Sequence, residues 1–295
     1  MENFVEELVR VAALSGYFQT MEALGGDPTP LLKEVGLSRD QLSNGEQMIP
    51  ARAAMRLLER GAQQTGCATF GLRMAQSRGI ADLGATSLLI AHQPTLRAAL
   101  SALTHYRNRI NSTLVLHIDD LGDSVIIRED FSLRAPEVSR QAADLALGVL
   151  ARLCRFVLGD SWRAELVCFT HDAPTRFETG IYRDLFGCRA EFNAEFNGIV
   201  ISAHDLDRPN QRADPALAEH ARKLIESVMN AEQHSVAQQV EQAILLLIPS
   251  GLANIEKCSD MLATTVRTLQ RNLDAEGVTF SELLKKARLQ LATKY

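Results

Sequence analysis

Apolar residues recur at helical spacing in four stretches: 3–14 (Phe4, Leu8, Val11), 51–64 (Ala54, Leu57, Leu58, Ala62), 95–108 (Leu96, Leu100, Leu103) and 137–158 (Val138, Ala142, Leu145, Val149, Leu153, Phe156). That period predicts a helix over each. A fifth stretch, 215–229, carries Leu217, Ala221, Leu224, Ile225 and Val228 on the same pattern. Strand-like runs lie between them. Residues 113–118 and 124–129 flank Asp119-Asp120-Leu121-Gly122-Asp123, whose turn chemistry marks a hairpin. Further strands are expected over 165–170, 189–193 and 199–202. Helices around an antiparallel or mixed sheet give an α+β domain for residues 1–229.

The pattern then changes. Asn230 to His234 is a polar stretch, which sets the expected linker at 230–234 and an all-α unit at 235–295. Asn254 can cap a short helix with Ile255, Cys258 and Leu262 facing inward, and a tight turn follows at Ala263-Thr264. Thr265 is a suitable N-cap for a second helix, in which Val266, Leu269 and Leu273 form one apolar stripe. Arg267 and Arg271 stand on the opposite face, with Gln270 on its flank. Gly277 ends that helix. Thr279 with Glu282 three residues on forms a capping box for a third, carrying Leu283, Leu284, Ala287 and Leu291.

A short support helix, a turn and a second helix docked by its apolar side make a helix-turn-helix. Arginine matches the major-groove edge of guanine and glutamine that of adenine, so Arg267, Gln270 and Arg271 suit base readout. The same residues also fit a solvated face in which Asp274 pairs with either arginine. Periodicity alone supports a three-helix unit.

Charge refines this picture slightly. The 295 residues carry a formal charge of -5, which excludes a polycation, yet from Thr264 onward there are six basic and three acidic residues. Basic charge thus gathers at the C-terminal end, the direction a nucleic-acid contact requires. A 46% hydrophobic fraction is ordinary for a globular chain. No run of 18 apolar residues occurs, and Met1 to Arg10 lacks signal-peptide features, so no membrane is expected and the cytoplasm is the expected location. Five cysteines at scattered spacings read as free thiols. Seven histidines make no metal-binding motif, and no phosphate-binding loop or nucleophile elbow occurs. No cofactor, metal or catalytic residue is expected. His171-Asp172 reads as a surface turn before Pro174 rather than an acid/base couple, and Trp162 and Phe169 as core.

Thr265-Val266-Arg267-Thr268-Leu269-Gln270-Arg271, then Glu276-Gly277-Val278-Thr279-Phe280 and Ala287-Arg288 before Leu291-Ala292, resemble the first helix-turn-helix of the AraC/XylS family of bacterial transcription regulators. Ser259, Ala263 and Asn272 depart from that pattern. The stretches 49–74, 92–106 and 190–217 resemble the arabinose-binding-like sensor of family members of the ornithine-utilisation type. The resemblance implies a ligand-responsive regulator whose DNA-binding positions are Thr265, Arg267, Thr268, Gln270 and Arg271. Its partners would be double-stranded promoter DNA, a small-molecule effector, a second copy of the chain and RNA polymerase. Family members carry two helix-turn-helix units joined by a long helix. The expectation here is the first unit only, with Tyr295 falling inside that joining helix. The alternative is a small-molecule-binding or enzymatic domain with a vestigial helical tail.

Overall fold

The computed structural model describes residues 7–133, 139–174, 179–231, 236–248, 253–262 and 264–292. The chain divides into two compact units, Glu7–Lys223 and a second built from Leu224 onward, so the division falls within one helix, Pro215–Ala231. Ala263 of the expected turn, Val138 and residues 232–235 lie outside the described residues.

In chain order the first unit contains β1 (Leu8–Arg10), α1 (Tyr17–Ala23), α2 (Pro28–Glu34), β2 (Met48–Pro50), α3 (Ala51–Thr65) and α4 (Phe70–Ser77). There follow α5 (Ala85–Ala91), α6 (Leu96–His105), β3 (Leu114–Asp120), β4 (Ser124–Phe131) and α7 (Arg140–Leu158). It closes with β5 (Leu166–Cys168), α8 (Thr179–Phe186), β6 (Arg189–Glu191), β7 (Asn197–Ser202), α9 (Ala203–Asp207) and the start of α10 (Pro215–Ala231). The second unit adds α11 (Val236–Leu247), α12 (Ile255–Met261), α13 (Val266–Ala275) and α14 (Phe280–Ala292).

The fold class is α+β with a mixed sheet. Five strands run in the order β3-β4-β7-β5-β6, every neighbouring pair antiparallel except β5 with β6. The hairpin turns at Gly122, whose φ of +91° needs a residue without Cβ, and Asp120 Oδ1 accepts from the Gly122 N–H at 2.9 Å. Of the helix expected over 3–14, residues 3–6 lie outside the described residues, and residues 8–14 do not form it. Leu8–Arg10 instead pairs with Met48–Pro50 as a two-stranded ladder, and Val11–Leu14 is a single 3₁₀ turn. The ladder buries Val9 against Ile49, which a helix at those positions would separate.

The longest helix, α7, runs through the core of the first unit. Ser139 caps it by accepting from the Ala142 N–H at 3.2 Å, and Ala142, Leu145 and Leu153 are buried. Helix α4 lies so close that glycine is required twice. A Cβ on Gly71 would fall 2.1 Å from the Gln141 carbonyl oxygen, and one on Gly148 2.5 Å from the Ala75 Cβ. Buried Gln141 seals the contact: its Oε1 accepts from the Gly71 N–H at 2.8 Å and its Nε2 donates to the Ala68 carbonyl at 3.0 Å. Trp162 is core, its indole N–H donating to Asp205 at 2.8 Å. The cysteines are free, all but Cys188 buried.

Gly71→Ala should cost about 1–3 kcal/mol through overpacking against the α7 backbone. Urea denaturation of the full chain checks this. An unchanged midpoint would mean that α4 and α7 have room to separate.

Candidate functional site

The second unit has its own small core of Val240, Ala243, Ile244, Cys258, Leu269, Leu273, Leu283 and Ala287. Local signals define each helix end around it. Asn254 Oδ1 accepts from the Lys257 N–H at 2.8 Å at the start of α12. Thr265 Oγ1 accepts from the Thr268 N–H at 3.2 Å at the start of α13 and lies 2.9 Å from the Thr268 hydroxyl. The helix closes on Gly277, φ +72°, with Gly277 N–H to the Asp274 carbonyl and Val278 N–H to the Leu273 carbonyl. That bond pair is a Schellman motif. Thr279 and Glu282 form the capping box of α14, both Thr279 donors reaching Glu282 Oε2 at 2.8 Å. Those two bonds hold the exposed Glu282 carboxyl below the usual carboxylate range. Glu276, in the turn after α13, accepts from the backbone N–H groups of Val236 and Ala237 at 2.6 and 2.9 Å, which ties the start of α11 to the end of α13.

This geometry decides what α13 presents. Leu269 and Leu273 are 1% exposed, whereas Arg267, Gln270 and Arg271 are fully on the outer side. Thr268 is half-buried and Thr265 exposed at the N-terminus. Among the described residues neither Arg267 nor Arg271 forms an ion pair, Asp274 included. All five residues singled out from the sequence therefore lie on one short helix and its cap. Of the expected inner residues of α12, Cys258 is buried and Ile255 half-buried, with Leu262 half-buried just beyond the helix end.

The first unit holds a cavity of about 140 Å³ between β1, the sheet and helices α3, α6 and α7. Its wall is mostly aliphatic, including Met55, Leu58, Leu103 and Leu145. Arg10, Arg78 and Arg107 border it, and the first two are engaged elsewhere. Arg10 donates to Glu46 at 3.1 Å and to the Asp82 carbonyl at 3.0 Å; Arg78 donates to the carbonyls of Ala12 and Ser15. Glu129 is different. It continues the inward row Val125, Ile127 on β4, is 4% exposed, lines the cavity, and its Oε2 has no hydrogen-bond partner. Burial, with the neighbouring Asp130 adding to it, pushes its carboxyl up to about 8. The sequence carried this signal as an acidic residue in an apolar row of period two.

His171 does not sit in an open turn. Its Nε2 lies 2.8 Å from Oδ1 of the fully buried Asp144 on α7, Tyr182 donates to the same carboxyl at 3.3 Å, and Phe169 and Phe192 pack around the imidazole. The partner is Asp144 rather than Asp172, whose carbonyl alone meets the other ring nitrogen. The aromatic walls leave this pair as an internal brace between α7, α8 and the sheet. Among the described residues no group of three or more metal-ligating side chains occurs, and no helix is long and apolar enough to cross a membrane.

A ligand-sized cavity in an α+β unit and a helix-turn-helix in a second unit together define a ligand-responsive DNA-binding regulator. Residues 25–210 match the arabinose-binding domain of AraC transcription regulators, N-terminal part, and the chain belongs to that family. It is similar to the HTH-type transcriptional regulator VirS of Mycobacterium tuberculosis, 28% identical over 290 residues that cover 98% of this chain and 85% of that one. It is similar also to the ornithine utilization regulator of Pseudomonas aeruginosa, 24% identical over 297 residues, covering 99% and 86% of the two chains. Among solved structures, the transcriptional regulator CdpR from Pseudomonas aeruginosa aligns over 94% of this chain and 84% of its own, at 16% identity and a TM-score of 0.49.

A buried carboxyl with a raised pKa favours the folded state most where it is protonated. Burial pushes the Glu129 carboxyl up to about 8, above the ordinary carboxyl value of 4.5, so stability is lost as pH rises between them. Urea midpoints of the full chain should fall relative to those of Glu129→Gln as pH goes from about 5 to about 8. Parallel curves for the two proteins would show that Glu129 is not buried as a neutral acid.

Proposed function

We propose that α13 reads operator DNA from the major groove, with Arg267, Gln270 and Arg271 toward base edges and Thr265 and Thr268 at the helix N-terminus toward the phosphate backbone. One observation carries this reading. The outer face of α13 holds two arginines without ion-pair partners among the described residues, directly opposite the two leucines that anchor the helix in its core. Placement at the helix N-terminus suits Thr265 and Thr268 to phosphate, because the free backbone N–H groups and the helix dipole favour an anion there. The α+β unit binds a small-molecule effector and shifts the population of DNA-competent states. Family membership supports that role, since the matched region is described as a ligand-binding domain.

In this reading the chain is no enzyme. Its relatives are named as regulators, and the His171–Asp144 pair is packed against the rings of Phe169 and Phe192. A homodimer doubles the phosphate contacts that a single helix-turn-helix supplies and suits a two-fold operator. RNA polymerase is the remaining partner of the proposal, and the cytoplasm, where promoter DNA is met, its location.

Arg271→Ala should weaken binding to the specific operator by about 1–3 kcal/mol and relax preference at one base position. Lys285→Ala, on α14, should at most weaken binding to all sequences alike. Titration of operator and random fragments by fluorescence anisotropy at fixed salt separates the two. Equal losses on both kinds of DNA for both variants would remove base reading from α13.

A further inference from the structure

The cavity of the first unit combines features that rarely occur together without a ligand. Its wall is predominantly aliphatic, and among the ionisable side chains that border it the carboxyl of Glu129 is 4% exposed with Oε2 unpartnered. Buried polar atoms are nearly always hydrogen-bonded, so an orphan carboxyl oxygen at the edge of an empty volume marks the place where a donor belongs. The alternation along β4 sharpens the point. Val125 and Ile127 occupy the same inward row, and a third apolar residue there would cost nothing, whereas the carboxyl incurs desolvation.

We propose that this cavity is the effector pocket and that Glu129 receives a protonated amino group carried on an apolar body about the size of an aromatic ring. The inference rests on the reading of this unit as the effector sensor. Three observations select the chemistry. First, the volume, about 140 Å³, is close to that of cavities of ~150 Å³ that accept benzene. Second, no arginine of the wall pairs with Glu129 among the described residues: Arg10 and Arg78 are committed to Glu46, Asp82 and backbone carbonyls, Arg107 lines the cavity without an ion pair to Glu129, and Arg128, next to Glu129 in sequence, meets Asp119 and Asp130. Third, Oε2 is the unpartnered atom of that buried carboxyl, and an ammonium group can donate to it while an apolar body meets the aliphatic wall. An anionic ligand would meet the opposite preference at Glu129. It would seek the Arg107 guanidinium or the Nε–H of Arg10, a donor without a partner, both on other parts of the wall.

The experiment uses three probes of one shape on the full chain: benzylamine, benzyl alcohol and benzoate, with thermal shift and calorimetric titration as readouts. Benzylamine should raise the melting temperature in proportion to the logarithm of its concentration above Kd and bind about tenfold or more tighter than benzyl alcohol. Benzoate should bind weakest. Glu129→Gln should erase the preference for the amine while leaving the alcohol bound, and Ala146→Leu, at a lining position on α7, keeps the carboxyl but fills the cavity and should abolish all three. The probe ranking on the unaltered chain stands even if a variant fails to fold. Benzoate binding tighter than benzylamine, no binding of any probe, or an amine preference that survives Glu129→Gln would each overturn the proposal. DNA titration of the same preparation keeps the two readings apart: specific DNA binding without amine binding overturns the pocket alone, and amine binding without DNA binding overturns the reader alone.

Discussion

Burial of one leucine stripe governs the second unit. Leu269 and Leu273 share a core of eight buried residues with Val240, Ile244 and Cys258, and a helix of ten residues has no other way to hold its orientation. Isolated helices of this length are marginal in water, so tertiary packing must supply the stability. Once those two leucines are fixed, the 100° step of the helix places Arg267, Gln270 and Arg271 outward. The caps then set length and angle. Thr265 starts the helix, Gly277 stops it, and Glu276 reaches back to the first N–H groups of α11, so the helix that carries the arginines is tied at both ends.

The first unit is organised by a different constraint, close backbone approach. Gly71 and Gly148 let α4 lie against α7 at a distance no Cβ permits, and Gln141 satisfies the backbone groups exposed there. This contact braces one side of α7. The other side faces the cavity, where Leu145 and Leu153 are core residues and wall at once. A tightly packed flank beside an unfilled volume is the arrangement expected of a binding domain, because interiors without a ligand otherwise fill to near-crystal density. Glu129 adds a local cost on the cavity side that a suitable ligand would remove.

Much of this was legible in the chain because the signals are local. The caps at Asn254, Thr265 and Thr279, the stop at Gly277 and the stripe Val266-Leu269-Leu273 all lie within a few residues of what they control, and each appears where expected. The hairpin around Gly122 and the strand at Leu166–Cys168 were visible for the same reason. Three kinds of feature escaped. Residues 3–14 carry a helical period, yet Leu8–Arg10 is recruited into a ladder with Met48–Pro50, a partner about 40 residues away that no local window can include. Helices such as α1, α2, α5 and α8 span seven or eight residues, too few turns for a period to stand out. Side chains whose meaning is tertiary were hidden too: His171 pairs with Asp144 across 27 positions, and Glu129 becomes unusual only once its row on β4 is known to face a core.

The central claim is that the outer face of α13 meets the bases of DNA. It is tested most directly by placing a photoreactive group at position 270 of the full chain and another at position 121, the exposed hairpin tip of the first unit. Irradiation with operator DNA should give crosslinks to major-groove base positions from 270 and none from 121. Stable DNA binding with no crosslink from 270, or with crosslinks from 121 instead, would contradict the account.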